Sequence, residues 1–175
     1  MKQKSPDLVT RAKAGDSHAF ARLYEDIYKD LYRFAFCMIK NTHQAEDIVS
    51  DSVLSAYENI HKLRKPESFR SWMFQIVANE CKKQFRLQKK NLSIEDEQPF
   101  FASHDFSDPT DRIALQQAFG ILDENERLII GLSMYAGYSG REISHYLHKK
   151  EGTVRSIKSR ALDKMKQFLE VTPND

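Results

Sequence analysis

Apolar side chains recur at three- and four-residue steps through most of this chain, with no convincing period-two alternation, so helices are predicted throughout. Phe20, Leu23, Tyr24, Ile27, Leu31, Phe34 and Met38 trace one face of a long helix. It begins after Asp16-Ser17, where the aspartate suits an N-cap, and reaches about Ile39. A short helix over Asp7–Lys13, ended by Gly15, precedes it. Asn41-Thr42 breaks the pattern before a helix over His43–Ile60. Its inner face is Ala45, Ile48, Val49, Ser52, Val53, Ala56, Tyr57 and Ile60. A polar, basic loop is predicted at His61–Glu67, and Ser68 is placed to cap a helix from Phe69 to about Gln88. Phe69, Trp72, Met73, Ile76, Val77 and Phe85 mark the core side of that helix.

The pattern then changes. Asn91–Asp111 holds six carboxylates (Glu95, Asp96, Glu97, Asp105, Asp108, Asp111), no Lys or Arg, and the breakers Pro99 and Pro109. This reads as an acidic linker, and its interleaved Phe100, Phe101 and Phe106 predict that it docks on something. Asp108-Pro109 opens the next helix, to about Leu122. Asp123-x-x-Glu126 and Ser139-x-x-Glu142 read as capping boxes for a helix ending near Gly137 and for a short helix, Gly140–Leu147. A polar turn, His148-Lys149-Lys150, leads to a last helix over Glu151–Leu169. The expected fold is all-α: a helical domain over 1–90, a linker over 91–111 and a second helical domain over 112–175.

At 175 residues the chain suits one ordinary domain or two small ones, and 41% apolar with 30% charged residues predicts a globular protein. The longest apolar run, Phe34–Ile39, falls far short of the roughly 20 residues that span a bilayer. No apolar signal core follows Met1-Lys-Gln-Lys-Ser-Pro, so a cytoplasmic protein is expected. Cys37 and Cys81 lie outside any CxxC pattern and read as reduced core thiols. A net charge of +2 identifies no partner, but its distribution is informative.

The segment Tyr138–Lys166 predicts a helix-turn-helix: a short capped helix, a turn of about three residues and a longer helix. In that last helix Val154, Ile157, Ala161, Met165 and Phe168 face inward, toward Ile143 and Leu147. Gly152, Arg155, Ser156 and Ser159 face outward near its start, flanked by Thr153 and Arg160, at the end that reaches base edges in such motifs. Lys149 and Lys150 in the turn are placed to neutralise phosphates. From Gly140 to Phe168 eight Lys or Arg face three Asp or Glu, the local excess that duplex binding needs.

The first half carries two unlike faces. Asp47, Asp51, Leu54 and Glu58 form an acidic stripe with one leucine on the outer side of His43–Ile60, the makings of a protein-docking face or of an ordinary solvated one. The helix after Ser68 is basic in its second half, with Lys82, Lys83, Arg86, Lys89 and Lys90 behind Gln75 and Asn79. The loop before it adds Lys62, Arg64 and Lys65. Basic residues interleaved with amides and aromatics suit single-stranded or opened nucleic acid.

These segments together resemble a family. Ala45-Glu-Asp-Ile-Val-Ser-Asp-Ser-Val-Leu-Ser-Ala-Tyr57 is similar to the core-binding motif of extracytoplasmic-function RNA polymerase sigma factors. Phe69-Arg-Ser-Trp-Met-Phe-Gln-Ile-Val-Ala-Asn79 resembles their promoter −10 helix. Leu122-Asp-Glu-Asn-Glu-Arg, Tyr138-Ser-Gly-Arg-Glu-Ile-Ser-His-Tyr-Leu and Glu151-Gly-Thr-Val-Arg-Ser resemble their region 4 helix-turn-helix. The matches run in the family's order over about Asp7–Leu169.

The resemblance implies that Asp47, Ser50, Asp51 and Leu54 would dock on the clamp helices of the polymerase's largest subunit, with the polymerase flap a further contact of the protein. Lys62, Arg64, Lys65, Ser68, Asn79, Lys82, Lys83 and Arg86 would open and hold the −10 element of promoter DNA. Lys149, Lys150, Gly152, Thr153, Arg155, Ser156, Ser159 and Arg160 would read the −35 element as duplex. The linker would thread toward the polymerase's active-site and RNA-exit channels. An anti-sigma factor, often membrane-anchored, commonly holds family members inactive until an envelope or extracellular stress releases them. The chain departs from the pattern at His148-Lys149-Lys150, where the family usually has Gly, an aliphatic residue and Ser or Thr, and at Ser50, which replaces a common Gln.

Two other classes bear comparison. A helix-turn-helix regulator acting without polymerase would need neither the acidic stripe nor the basic helix. An enzyme, such as a metal-dependent nuclease, has only His145 and His148 to offer, three residues apart. The chain contains no Gly-rich phosphate loop, GxSxG or HExxH. No cofactor, metal or small-molecule ligand is expected.

Overall fold

The structure is a computed structural model, and it describes residues 5–91 and 109–171. Most of the acidic linker, with Phe100, Phe101 and Phe106, lies outside the described residues, as do the side chains of Lys89 and Lys90. Among the described residues every regular element is helical. The chain divides into two compact units, Met1–Asp96 and Glu97–Asp175.

In the first unit α1 (Ser5–Lys13) buries Leu8, Val9 and Ala12 and packs on α2 (Ser17–Glu25). The turn between them passes through Gly15 at φ +95°, a left-handed backbone that glycine adopts without steric cost. Asp16 caps α2, accepting from the Ala19 amide at 3.0 Å, and pairs with Arg11 at 2.6 Å. The amide bond, then the guanidinium, hold the Asp16 carboxyl below its usual range.

The long helix expected from Asp16 to Ile39 is two helices, α2 and α3 (Tyr28–Ile39). The break is at Ile27, which leaves helical dihedrals (φ −122°, ψ −7°) while staying buried. Phe20, Leu23, Leu31, Phe34 and Met38 are buried on either side of it. A bend that keeps one face inward leaves the three- and four-residue spacing unchanged, so periodicity alone reads straight through it.

Lys40 ends α3 in the left-handed region, and Asn41 caps α4 (Thr42–Asn59) by accepting from the Gln44 amide at 3.0 Å. α4 buries Ala45, Ile48, Val49, Ser52 and Ala56. Val53 is only half-buried, and Tyr57, expected inward, is 43% exposed, with its ring edge on Phe20 at 5.1 Å. Where a loop was expected, Ile60–Lys62 and Pro66–Ser68 form 3₁₀ turns. Proline starts the second turn, which runs directly into α5 (Phe69–Asn91), so Ser68 lies within a helical turn and not ahead of one.

α3, α4 and α5 pack together around Leu31, Phe34, Met38, Met73 and Phe74, all fully buried. Phe34 and Phe74 meet edge to face at 5.6 Å. Burying each such side chain stabilises the unit by about 1.5–3 kcal/mol. Arg70 braces the same region, donating to Asp30 at 2.7 Å with its guanidinium 5.2 Å from the Phe74 ring. On α5 the buried stripe is Phe69, Met73, Phe74, Val77, Ala78 and Cys81. Trp72, Ile76 and Phe85, expected on the core side, are half-buried at its border. Neither Cys37 nor Cys81 is in a disulfide, and burial pushes the Cys81 thiol up.

The second unit holds α6 (Pro109–Gly120), α7 (Glu124–Met134), α8 (Gly140–Leu147) and α9 (Glu151–Val171). Both expected capping boxes form. Asp123 accepts from the Glu126 amide at 2.9 Å while Glu126 accepts from the Asp123 amide at 3.0 Å. Ser139 and Glu142 make the same exchange at 3.3 and 2.8 Å. The Ser139 hydroxyl and amide hold the Glu142 carboxyl below its usual range. α7 stops at Met134, and Gly137 at φ +71° turns the chain toward α8.

Phe119, Ile129, Ile130, Leu132, Ile143 and Val154 fill the core of this unit. Two links brace α9 against α7: Lys164 to the buried Glu126 at 2.7 Å, and Lys158 to the Ser133 hydroxyl at 2.5 Å.

Candidate nucleic-acid and polymerase interfaces

The helix-turn-helix is built by α8, the turn His148–Lys150 and α9. His148 caps α8 at φ 52°, a left-handed conformation that glycine would adopt without cost. The amides of His148 and Lys149 donate back to His145 O at 3.3 Å and Ser144 O at 3.0 Å, which closes the turn despite the side chain. α9 buries Val154, Ala161 and Met165, with Ile157 and Phe168 half-buried beside them, against a unit in which Ile143 is buried and Leu147 half-buried.

Lys149, Lys150, Gly152, Thr153, Arg155, Ser156, Ser159 and Arg160 are all exposed, on the turn and the first half of α9. Arg155 lies 3.6 Å from Glu151, and Ser156 donates its hydroxyl to Gly152 O at 2.9 Å. A helix start that presents cations, hydroxyls and a side-chain-free glycine can approach a duplex closely and meet both phosphates and base edges.

In the first unit Asp47, Ser50, Asp51 and Leu54 are exposed along α4, and Leu54 is 64% exposed. An apolar side chain so open among carboxylates can bury itself against a partner while the charges set register.

Of the basic set, Lys62, Arg64, Lys65, Asn79, Lys83 and Arg86 are exposed, and Ser68 and Lys82 half-buried. Lys13 donates to Leu63 O at 2.7 Å and Leu63 is buried. The loop backbone is thus pinned to α1 where Arg64 and Lys65 are offered to solvent. Burial, then the neighbouring Arg86, push the Lys82 ammonium down. A cation already partly desolvated loses less hydration when a phosphate or base covers it.

The two faces that are separate in the sequence meet in the structure. An open groove of about 180 Å³ runs between α4 and α5, lined by Asp47, Ile48 and Asp51 on one side and Glu80, Lys83 and Leu87 on the other. Lys83 pairs with Glu80 at 3.2 Å, and Gln84 donates to Gln44 at 3.4 Å across the helices. Leu87, 46% exposed, is a lining residue that the sequence reasoning missed. It follows the basic residues without continuing the buried stripe, a signal visible only once the position of α4 is known.

His145 and His148 are exposed, and among the described residues no three His, Cys, Asp or Glu side chains gather to hold a metal ion. No described helix is long and apolar enough to cross a membrane.

Comparison with known proteins bears on both units. The family model for Sigma-70 region 2 matches residues 23–91, and that for Sigma-70 region 4 matches residues 118–167. The RNA polymerase sigma factor SigV of Bacillus subtilis is 30% identical over 86% of this chain and 89% of its own length. The ECF RNA polymerase sigma factor SigM of Mycobacterium tuberculosis is 26% identical over 95% and 85%. Among solved structures, the sigma factor RpoE of Bartonella quintana, in complex with the anti-sigma factor NepR, shares the fold with a TM-score of 0.75 at 22% identity, over 88% of this chain and 98% of that one. CnrH, in complex with the cytosolic domain of CnrY, aligns with a TM-score of 0.69 at 21% identity, over 97% and 99%.

Proposed function

The chain belongs to the sigma-70 family, among its extracytoplasmic-function members, and from that premise we propose how its two units divide the work of directing core RNA polymerase to a promoter. In this reading residues 1–90 form region 2, 91–111 the linker and 112–175 region 4. The α4 face of Asp47, Ser50, Asp51 and Leu54 docks on core polymerase. Lys62, Arg64, Lys65, Ser68, Asn79, Lys82, Lys83 and Arg86 take up the opened −10 element. The turn and start of α9, from Lys149 to Arg160, read the −35 element as duplex.

One observation carries this assignment: an exposed acidic and apolar face on α4 stands beside a basic helix in one unit, while a separate helix-turn-helix sits in the other. A regulator acting without polymerase has no use for the first pair. The chain contributes recognition and melting, and polymerase contributes the chemistry, so the protein is not itself an enzyme. Its place of work is the cytoplasm. RpoE of Bartonella quintana forms a complex with an anti-sigma factor, and this chain is held by a comparable inhibitor until a signal releases it.

The test is multi-round transcription by purified core polymerase, with and without the protein, on a pooled library of bacterial promoters. Defined start sites that depend on the protein are expected, and aligning them yields both promoter elements. Absence of stimulation and of co-elution with core, across several bacterial polymerases, would overturn the assignment in favour of a regulator that acts alone.

A further inference from the structure

Between His148 and Arg160 the chain holds a single carboxylate, Glu151, among Lys149, Lys150, Arg155, Lys158 and Arg160. A carboxylate on a face that meets phosphates repels every duplex alike, so it lowers affinity without adding discrimination. Acidic residues favour the first turn of a helix, but that benefit needs no particular neighbour. Glu151 has one: its Oε1 lies 3.6 Å from Nη2 of Arg155, one turn along, with both side chains open to solvent. Ser156 beside it is committed to its own helix through the bond to Gly152 O. Arg155 is therefore the side chain at this end with both the reach and the planar donor fork for a bidentate base contact. A free arginine samples many rotamers, and a carboxylate one turn back along the helix favours those that lay one edge of the guanidinium beside it, with the other donors directed away.

We propose that Glu151 is a specificity-determining positioning residue, which holds the Arg155 guanidinium in the orientation that reads a base pair, while its charge lowers affinity for every duplex, so that only a duplex offering Arg155 its base contact binds tightly. The proposal rests on the reading of α9 as the −35 reader.

The experiment uses holoenzyme assembled with the full chain, transcribing a library whose −35 segment is randomised upstream of the −10 element recovered from the pooled-promoter transcription. Wild type is compared with Glu151→Ala, Glu151→Gln, Arg155→Ala and the double alanine variant. Arg155→Ala flattens base preference at one position. Glu151→Ala and Glu151→Gln weaken preference at that same position by about tenfold and raise binding to scrambled duplex. In the Arg155→Ala background, Glu151→Ala changes no preference further. An unchanged preference profile in the Glu151 variants overturns the proposal, as does a loss spread over all positions with a lowered melting temperature, which marks a purely structural role. If wild type itself shows no −35 preference, the reading of α9 fails first; if wild type discriminates and the Glu151 variants match it, the inference alone fails.

Discussion

Single side chains decide much of what this protein can do. His148 holds a left-handed backbone at the centre of the helix-turn-helix, where a Cβ costs roughly 1–2 kcal/mol relative to glycine. His148→Gly is expected to stabilise the fold by about 1 kcal/mol, less what glycine loses in the freer unfolded chain. A higher urea midpoint with an unchanged slope would show it, and a lower midpoint would mean that the imidazole makes interactions worth more than the strain. At the start of α9, Arg155→Ala is expected to cost about 1–3 kcal/mol of −35 discrimination while co-elution with core polymerase survives. Ser156→Ala is expected to weaken recognition as well, with core binding again intact. Equal promoter affinity in these variants, measured by filter binding of holoenzyme, would remove the two residues from the reading face.

Helices and their ends form the next level. Ser139 and Asp123 are legible as caps because a capping box is a local exchange between positions fixed three apart. The Ile27 break is not legible, because spacing on one face survives a bend, and neither glycine nor proline marks the site. That Asp47, Asp51, Leu54, Arg155 and Ser156 are exposed is legible in the sequence, from their place outside the apolar stripe. That Lys83 and Leu87 share a groove with Asp47 is not, since it depends on how α4 lies on α5.

The caps give stability a sign with pH. Asp16 and Glu142 have folded-state pKa values below their ordinary 3.8 and 4.5. Their contribution is therefore complete above those ordinary values and is lost as pH falls through the lowered ones. Glu142→Gln is expected to flatten the acid limb of stability between about pH 5 and pH 3 relative to wild type, followed by thermal melts across that range. Identical acid limbs would show that the Ser139 box adds nothing to pH dependence. On α4, Asp47→Arg combined with Asp51→Arg reverses the charge of the proposed docking face, and reduced co-purification with core polymerase is expected at unchanged melting temperature. Undiminished co-purification would place the polymerase-binding face elsewhere.

Taken whole, the chain carries a net charge of only +2, so its affinity for DNA has to come from where charges sit. In the net charge the six carboxylates of 91–111 offset basic residues elsewhere in the sequence. Promoter opening and duplex reading are thereby open to separate test. Lys82→Ala with Lys83→Ala is expected to reduce permanganate reactivity of melted thymines and to flatten the salt dependence of open-complex formation, by about one log unit per log unit of salt for each phosphate no longer neutralised. Recognition of −35 duplex should be unaffected. Unaltered thymine reactivity would take these lysines out of melting.

The groove between α4 and α5 also has a genetic consequence. Asp47 and Asp51 on one wall and Lys83 on the other line one groove, so a charge reversal on the helix proposed to meet polymerase is expected to be felt on the helix proposed to meet the promoter. A selection for revertants of Asp51→Arg should return changes at Lys83 or Glu80, on the opposite helix, alongside changes in polymerase. Substitutions that improve strand opening at Lys83 should in turn alter competition for core against other sigma factors.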